Sequence, residues 1–249
     1  MTRWRNDRTD TQRESELRVL QTATVVIVPA YSESAVIGSV VAGLRALGWS
    51  VLVVDDGSPD RTTDAAAEAG AVVLRHPVNL GQGAALRTGF AHALRRPDFR
   101  FVVTFDADGQ HAPEAVETLL HPLARGDADV VLGSRFLDPA FSIAVPPLRR
   151  VLLRMATLVS RRTTGLSLTD SHNGLRAFTA EAVSVLHLEQ DRMAHASEIQ
   201  AEIARNRLRC VECAVHVRYT PYSIAKGQRL VDAVSILWDL LLTNRRPRV

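Results

Sequence analysis

The sequence predicts an α/β fold, a mostly parallel central sheet with helices on both faces. Three observations carry that prediction. Short runs of β-branched apolar residues alternate with segments whose apolar residues recur at helical spacing. The runs are apolar throughout, which marks strands covered on both faces. Acidic residues close two of them: Asp55 and Asp56 after "VLVV", and Asp106 to Asp108 after "FVVTF". In sheets of this kind, ligands bind beyond the carboxyl ends of the strands.

Taken in order, residues 1–22 are polar and are expected to form a mobile tail with a short helix around Glu14 to Leu20. "TVVIV" from Thr24 is the first buried strand. "SAVIGSVVAGLRALG" has helical spacing and stops at Gly48. "VLVVDD" is the second strand. Ser58-Pro59 then reads as a helix start, with serine as cap and proline at the first helical position. "TTDAAAEAG" is that helix, "AVVLR" the third strand, "QGAALRTGFAHAL" the third helix and "FVVTFD" the fourth strand. A helix follows Pro113, and "ADVVLGS" is a fifth strand. Beyond Arg135 the pattern loosens into a helix over "PPLRRVLLRMATLVSRRTTG", a short strand at "GLRAFT", a helix at "ASEIQAEIARN" and a strand at "VECAVHVRY". Residues 23–226 form the main domain. Residues 227–249 form an apolar helix with one polar stripe (Asp232, Ser235, Asp239, Thr243) and a basic tail.

Composition limits the functional classes. A chain of 249 residues with 46% apolar content can bury a sizeable core. Thirty basic residues nearly balance 27 acidic ones, which is no nucleic-acid-binding composition. The basic excess lies at the ends, where it suits solubility or an anionic surface. No secretory signal and no apolar run of membrane-spanning length is visible, so a cytoplasmic body is expected. Cys210 and Cys213 form one C-x-x-C without a second pair; on a strand they point to opposite faces and read as ordinary thiols.

Four segments carry chemistry. In "FDADGQH", two carboxylates in D-x-D spacing at a strand end can share one hard cation, Mg2+ or Mn2+, with the Gln110 carbonyl in reach. Such a cation can bridge to phosphate oxygens and stabilise a departing diphosphate. In "VVDDGSPD", an acidic residue at a strand end can accept hydrogen bonds from a base or ribose, or close an Asx-turn. In "VPAYSES", Tyr31 offers a flat face and Glu33 an acceptor. In "NLGQGAALRTG", Gly81 and Gly83 precede a helix, where close backbone approach to an anionic ligand is expected.

Together these segments resemble glycosyltransferase family 2, with its GT-A fold and Rossmann-like nucleotide-binding half. The closest likeness is to the polyprenyl-phosphate, dolichyl-phosphate-mannose-synthase-like branch. "PAYSES" is similar to the family's P-A-Y-N-E-E, "VVDDGSPD" to V-D-D-G-S-x-D, and "DADGQH" to D-A-D-x-Q-H. "GSR" at Gly133 to Arg135 and the D-x-x-x-G-x-R of "DSHNGLR" match as well. Ser32 and Ser34 depart from the family's Asn and second Glu.

The resemblance implies a role for each matching position. Asp106, Asp108 and Gln110 would hold Mg2+ or Mn2+, with Ala107 between the two carboxylates. Pro29, Tyr31, Glu33, Asp55 and Asp56 would surround the nucleoside of a UDP-, GDP- or dTDP-sugar. Arg135 would meet a phosphate, and Arg218 and Lys226 would cover the donor phosphates from the loop "YTPYSIAKGQ". Transfer would invert the anomeric centre. A hydroxyl acceptor would need a general base, for which Asp170 and Glu198 are candidates; a phosphate acceptor would not. His172 and His195 read as packing or hydrogen-bonding histidines.

The resemblance thus implies transfer of one sugar to a polyprenyl phosphate or, alternatively, to a hydroxyl acceptor in cell-envelope or glycoconjugate synthesis. A nucleotide-sugar-binding protein without turnover is the reading from another class, disfavoured because both metal carboxylates are present. A sugar nucleotidyltransferase would want a Gly-rich basic loop after the first strand, and "VPAYSES" is not one. The final helix fits either peripheral contact with the inner face of the membrane or docking on the core or a second copy in a homo-oligomer.

Overall fold

The computed structural model describes residues 10–142, 145, 147–192 and 194–218. Its elements run in this order: α1 (Asp10–Thr22), β1 (Thr24–Ala30), α2 (Ile37–Ala46), β2 (Ser50–Asp55), α3 (Thr62–Glu68), β3 (Val72–Arg75), α4 (Gln82–Leu94), β4 (Phe101–Thr104) and α5 (Ala115–Ala124), followed by β5 (Val130–Ser134), α6 (Pro139–Ser142), α7 (Pro147–Thr164), β6 (Arg176–Thr179), α8 (Ala180–Val185), α9 (His195–Arg205) and β7 (Cys210–Ala214). The strands form one sheet in the order β3-β2-β1-β4-β6-β5-β7. All pairings are parallel except those of β6, which runs antiparallel to both β4 and β5.

Strand alternation divides the core in two. On one face Val26, Val28, Val51, Val53, Val103 and Val131 meet Ile37, Val41 and Leu44 of α2 and Val116, Leu119 and Leu120 of α5. On the other, Val25, Ile27, Leu52, Val54, Val102 and Phe178 meet Leu86 and Phe90 of α4 and Ile199 and Ile203 of α9. Each fully buried side chain of this size contributes roughly 1.5–3 kcal/mol, so burial on both faces fixes which strands lie at the centre. Cys213 packs with the first cluster and Cys210 with the second. The C-x-x-C is therefore split across the sheet, and burial pushes the Cys210 thiol up to about 12.

The strand and helix order expected from the pattern is present, with three differences. The N-terminal segment is helical from Asp10, and Leu20, only 6% exposed, anchors it to the core. Helix α3 starts at Thr62, with Arg61 rather than Ser58 at the cap. Ser58 is consumed elsewhere: its hydroxyl donates to Asp55 and accepts from Ser32 N at 2.9 Å. The short helices α6 and α8 were not expected; Thr179 caps α8 by accepting from Ala182 N at 3.1 Å. The apolar helix and basic tail placed in 227–249 lie outside the described residues.

Gly89 sets how closely α4 approaches the sheet. A methyl group there would stand 2.5 Å from Ile27 Cγ2, a branched side chain held in the core. Overpacking of this kind costs about 1–3 kcal/mol, against roughly 1 kcal/mol gained by alanine over glycine in a helix. We therefore expect Gly89→Ala to lower the melting temperature, whereas a rise would show that α4 can lift away without cost.

Candidate active site

The carboxyl ends of β1, β2, β4 and β5 share one edge of the sheet. Because β6 runs antiparallel, the segment leading into it, 170–175, reaches the same edge. Sequence-distant residues are thereby brought together.

The loops after β1 and β2 are stapled to each other. Ser32 N bonds Ser58 Oγ, Glu33 N bonds Thr62 Oγ1 at 2.9 Å, and Ser34 N bonds Asp60 Oδ2 at 3.3 Å. Ser32 has a φ of 55°, in the left-handed region that asparagine tolerates better than serine. This is a physical reason for the Asn of the related motif. Pro29 and Glu33 are buried, and Tyr31, 43% exposed, stands at the rim.

Asp55 is fully buried. One of its oxygens accepts from Ser58 N at 3.0 Å and from the Ser58 hydroxyl; the other accepts from the Thr63 hydroxyl. Asp56 accepts from Leu80 N at 3.0 Å and Gly81 N at 2.7 Å and lies 2.7 Å from His76 Nδ1. The Asp56 carboxylate thus ties the 76–81 loop to the end of β2. Asp56, expected beside the nucleoside, makes these scaffold contacts.

Beyond β4, Ala107 turns into the core while Asp106 and Asp108 stay half-buried at the edge. Gly109 has a φ of 72°, which allows the chain to turn so that Gln110 N bonds Asp108 Oδ1 at 3.0 Å. Asp106 lies against Gly174, where a side chain would overlap its carboxylate. Thr104 Oγ1 pins that approach by donating to Gly174 O at 2.7 Å.

Burial works to raise the Asp106 pKa. A hydrogen bond and the charge of His111, with Nε2 at 3.4 Å, together with the charges of Arg176 and Arg135, hold it below the usual range. Asp108 is pushed the other way, to about 6, by burial and then by the charge of Asp106. Two adjacent carboxylates that resist joint ionisation suit a shared hard cation, which would remove that penalty. Among the described residues no cluster of three or more His, Cys, Asp and Glu groups closes into a metal cage. Any cation would therefore draw its remaining ligands from Gln110, water or substrate phosphate.

Arg135 is buried and fixed. Its Nε bonds Asp170 Oδ2 at 2.6 Å, its Nη2 bonds His172 O at 2.8 Å, and its backbone N bonds Asp170 at 3.2 Å. Asp170 is in turn held from β7. Glu212 accepts from Asp170 N at 3.0 Å, Thr169 N at 2.8 and 2.9 Å, and Thr169 Oγ1 at 2.9 Å. The side chain of Asp170 is fully buried, and its other oxygen accepts from His172 N at 3.2 Å. Asp170, one of the two candidate bases, is the buried counter-ion of Arg135.

Three more expected site residues have other partners. Glu198 accepts from Glu189 N at 2.8 Å and Gln190 N at 3.0 Å, closing the loop before α9. Gly81 and Gly83 make room for the protein's own backbone: a side chain on either would strike Asp191 O or Gln190 O. Asp191 O also takes the first amides of α4, Gly83 N at 2.7 Å and Ala84 N at 3.3 Å. The helix N-terminus expected to meet an anionic ligand is capped by the chain itself.

The backbone of Arg218 lies beside Gln110. Its N donates to Gln110 O at 2.8 Å, beside the bridge between His111 and Val217. Lys226 lies outside the described residues.

The structure adds residues that were not singled out. Arg176, 4% exposed at the start of β6, faces Asp106 and Asp170 electrostatically, and burial lowers its pKa. Asn173 Nδ2 and His111 Nδ1 are buried without a protein partner among the described residues. All three stand inside motifs already quoted, "DSHNGLR" and "DADGQH". His172 and His195 are held near 4, in each case chiefly by burial, so they carry no charge at neutral pH.

The chain belongs to glycosyltransferase family 2: the Glycosyl transferase family 2 profile matches residues 25–186, and the fold is GT-A. Its relatives include an uncharacterized protein of Methanocaldococcus jannaschii, 34% identical over 87% of this chain and 90% of that protein. The UDP-N-acetylglucosamine–dolichyl-phosphate N-acetylglucosaminyltransferase of Methanococcus voltae is 30% identical over 87% of this chain and 94% of its own. The polyprenol monophosphomannose synthase of Mycolicibacterium smegmatis is 36% identical over 66% and 64%. Among solved structures, glucosyl-3-phosphoglycerate synthase of Mycobacterium tuberculosis superposes with a TM-score of 0.69 at 23% identity, covering 94% of this chain and 85% of that one.

Ionising Asp108 costs stability in the metal-free protein, because its folded pKa of about 6 lies above the ordinary 3.8. The cost is absent below pH 3.8, grows as pH rises towards 6 and stays constant above it. In EDTA, Asp108→Asn should therefore melt higher than wild type at pH 8, by on the order of 1–3 kcal/mol of stability. The gap should narrow as pH falls through 6. Equal melting at pH 8 would show that the carboxylate is not destabilised there.

Proposed function

We propose that this enzyme transfers one sugar from a nucleotide-diphosphate sugar to a polyprenyl phosphate, with inversion at the anomeric carbon. One observation carries the reading: the Asp106–Asp108 pair shares a sheet edge with two buried arginines, Arg135 and Arg176. Paired carboxylates suit the cation that accompanies a diphosphate; fixed guanidinium charges suit phosphate oxygens.

In this reading Asp106, Asp108 and Gln110 hold Mg2+ or Mn2+, which neutralises charge on the leaving diphosphate. Pro29, Tyr31, Glu33 and Asp55 form the nucleoside end, and Asp56 shapes it by holding the 76–81 loop. Asp170 and Glu212 orient Arg135, and Arg218 covers the diphosphate from beside Gln110. Asn173 Nδ2 offers a donor to a ligand oxygen. The two candidate bases, Asp170 and Glu198, are both engaged in hydrogen bonds. That favours an acceptor already anionic, as a phosphate is, over a hydroxyl that must lose a proton.

The relatives support the same acceptor class, being described as transferases of dolichyl-phosphate, polyprenol monophosphate and undecaprenyl-phosphate. The fold neighbour has been solved with Mn2+, UDP and glucosyl-3-phosphoglycerate, which supports a metal-bound UDP-sugar donor. It also supports a second reading, transfer to a hydroxyl of a phosphorylated acceptor. Action at the inner face of a membrane follows from the first reading.

The test is transfer of labelled sugar from UDP-, GDP- and dTDP-sugars, with Mg2+ or Mn2+, onto undecaprenyl phosphate in detergent. We expect one donor to give a lipid-extractable, acid-labile product that needs the metal and is lost in Asp108→Ala. An acid-stable product formed only on a hydroxyl acceptor would establish the second reading instead.

A further inference from the structure

Helix α7 is built inside out. Its inner face carries Ala156, Thr157 and Ser160, all buried. There the Ser160 hydroxyl bonds Gln200, and Thr157 Oγ1 lies 3.2 Å from Ser171 Oγ. Gln200 Nε2 completes the contact by donating to Ser171 O at 2.6 Å. The outer face carries Val151, Met155 and Leu158, spaced to form one stripe and 55%, 50% and 47% exposed. Among the described residues this helix packs hydroxyls inward and presents large apolar side chains outward, an arrangement that suits a partner surface.

Charge indicates what that is. From Phe136 to Thr164 the sequence holds five arginines, Arg149, Arg150, Arg154, Arg161 and Arg162, against one acidic residue, Asp138. Arg154 is exposed beside the stripe and Arg162 is exposed one turn beyond Leu158, in line with it, where long stems can lie on apolar surface while the charged heads reach outward. A second copy of this chain would set these arginines against each other across a two-fold axis, so self-association is disfavoured. No helix among the described residues is long and apolar enough to cross a membrane, but an apolar stripe with arginines beside it and at its end suits the boundary between head groups and acyl chains.

A cavity of about 430 Å3 opens along the same flank of α7, lined by Phe136, Arg154, Thr157, Leu158, Arg161 and Thr169. Phe136 follows Arg135, and Thr169 precedes Asp170. The cavity is thus lined both by Leu158 of the apolar stripe and by the chain neighbours of the Arg135–Asp170 pair.

We propose that the outer face of α7 docks on an anionic bilayer, with Val151, Met155 and Leu158 entering the interface and Arg154 and Arg162 meeting lipid head groups. The proposal does not depend on which acceptor is used, and vesicles lacking any polyprenyl phosphate test it separately.

The full chain is sedimented with phosphatidylcholine vesicles and with vesicles in which about a third of the lipid is phosphatidylglycerol. Wild type should bind the anionic vesicles, less so as salt rises, and bind the neutral ones weakly. Met155→Ser/Leu158→Ser and Arg154→Glu/Arg162→Glu should each lower partitioning about tenfold, with melting temperature unchanged because the altered side chains are exposed. In a second measurement, Met155→Trp should show blue-shifted emission and quenching by brominated lipid on anionic vesicles. Unchanged vesicle binding in both double variants, or a tryptophan that stays in water while the protein is bound, would overturn the proposal. So would a lipid-free dimer that Met155→Ser dissolves.

Discussion

The site depends on a single reversal of strand direction. Strand β6 enters the sheet between β4 and β5 and runs against both. Its leading segment therefore arrives at the edge where β4 and β5 end, and Gly174 comes to rest on the carboxylate of Asp106. With a parallel β6, Asp170, Asn173 and Arg176 would sit at the opposite edge, remote from the D-x-D. The glycine is required by contact, since a side chain at 174 and the Asp106 carboxylate would occupy the same space.

Charge at this edge is organised in two linked sets. Asp106 is surrounded by His111, Arg135 and Arg176, so it ionises readily although partly buried; its neighbour Asp108 bears the cost and resists ionisation. Behind them, Glu212 holds the 169–170 backbone and Asp170 holds Arg135. Buried ion pairs of this kind add little net stability, and removing one partner typically costs about 3–5 kcal/mol. They fix the Arg135 guanidinium in one place, and in the proposed reaction that would preorganise its charge for a phosphate.

Much of this was legible in the sequence. The apolar runs and the acids at strand ends located β1, β2 and β4 and the D-x-D, because burial on both faces leaves a continuous hydrophobic signature. What the sequence did not disclose was the choice between protein and ligand as partner. Gly81 and Gly83 look the same whether the backbone approaching them is a substrate's or that of residues 190–191, and the structure supplies the latter. Ser58-Pro59 carries the signature of a helix start, but Ser58 closes the turn after Asp55 instead. Arg176 sits at the start of a short strand with nothing local to say that it is buried; only the placement of β6 against Asp106 shows that. Asp170 and Glu198 were legible as carboxylates, but their hydrogen-bond partners lie far off in sequence or in loops without pattern.

The most direct test of this account is the affinity for Mn2+ with UDP-, GDP- and dTDP-sugars in turn, measured by calorimetry, of wild type and Gly174→Ala. Far-UV circular dichroism and cooperative melting serve as the check on folding. The account predicts that the added methyl group displaces Asp106 and that metal-dependent binding is lost in a protein that remains folded. Wild-type affinity in Gly174→Ala would contradict it, because the Asp106 carboxylate would then not need the place that β6 gives it.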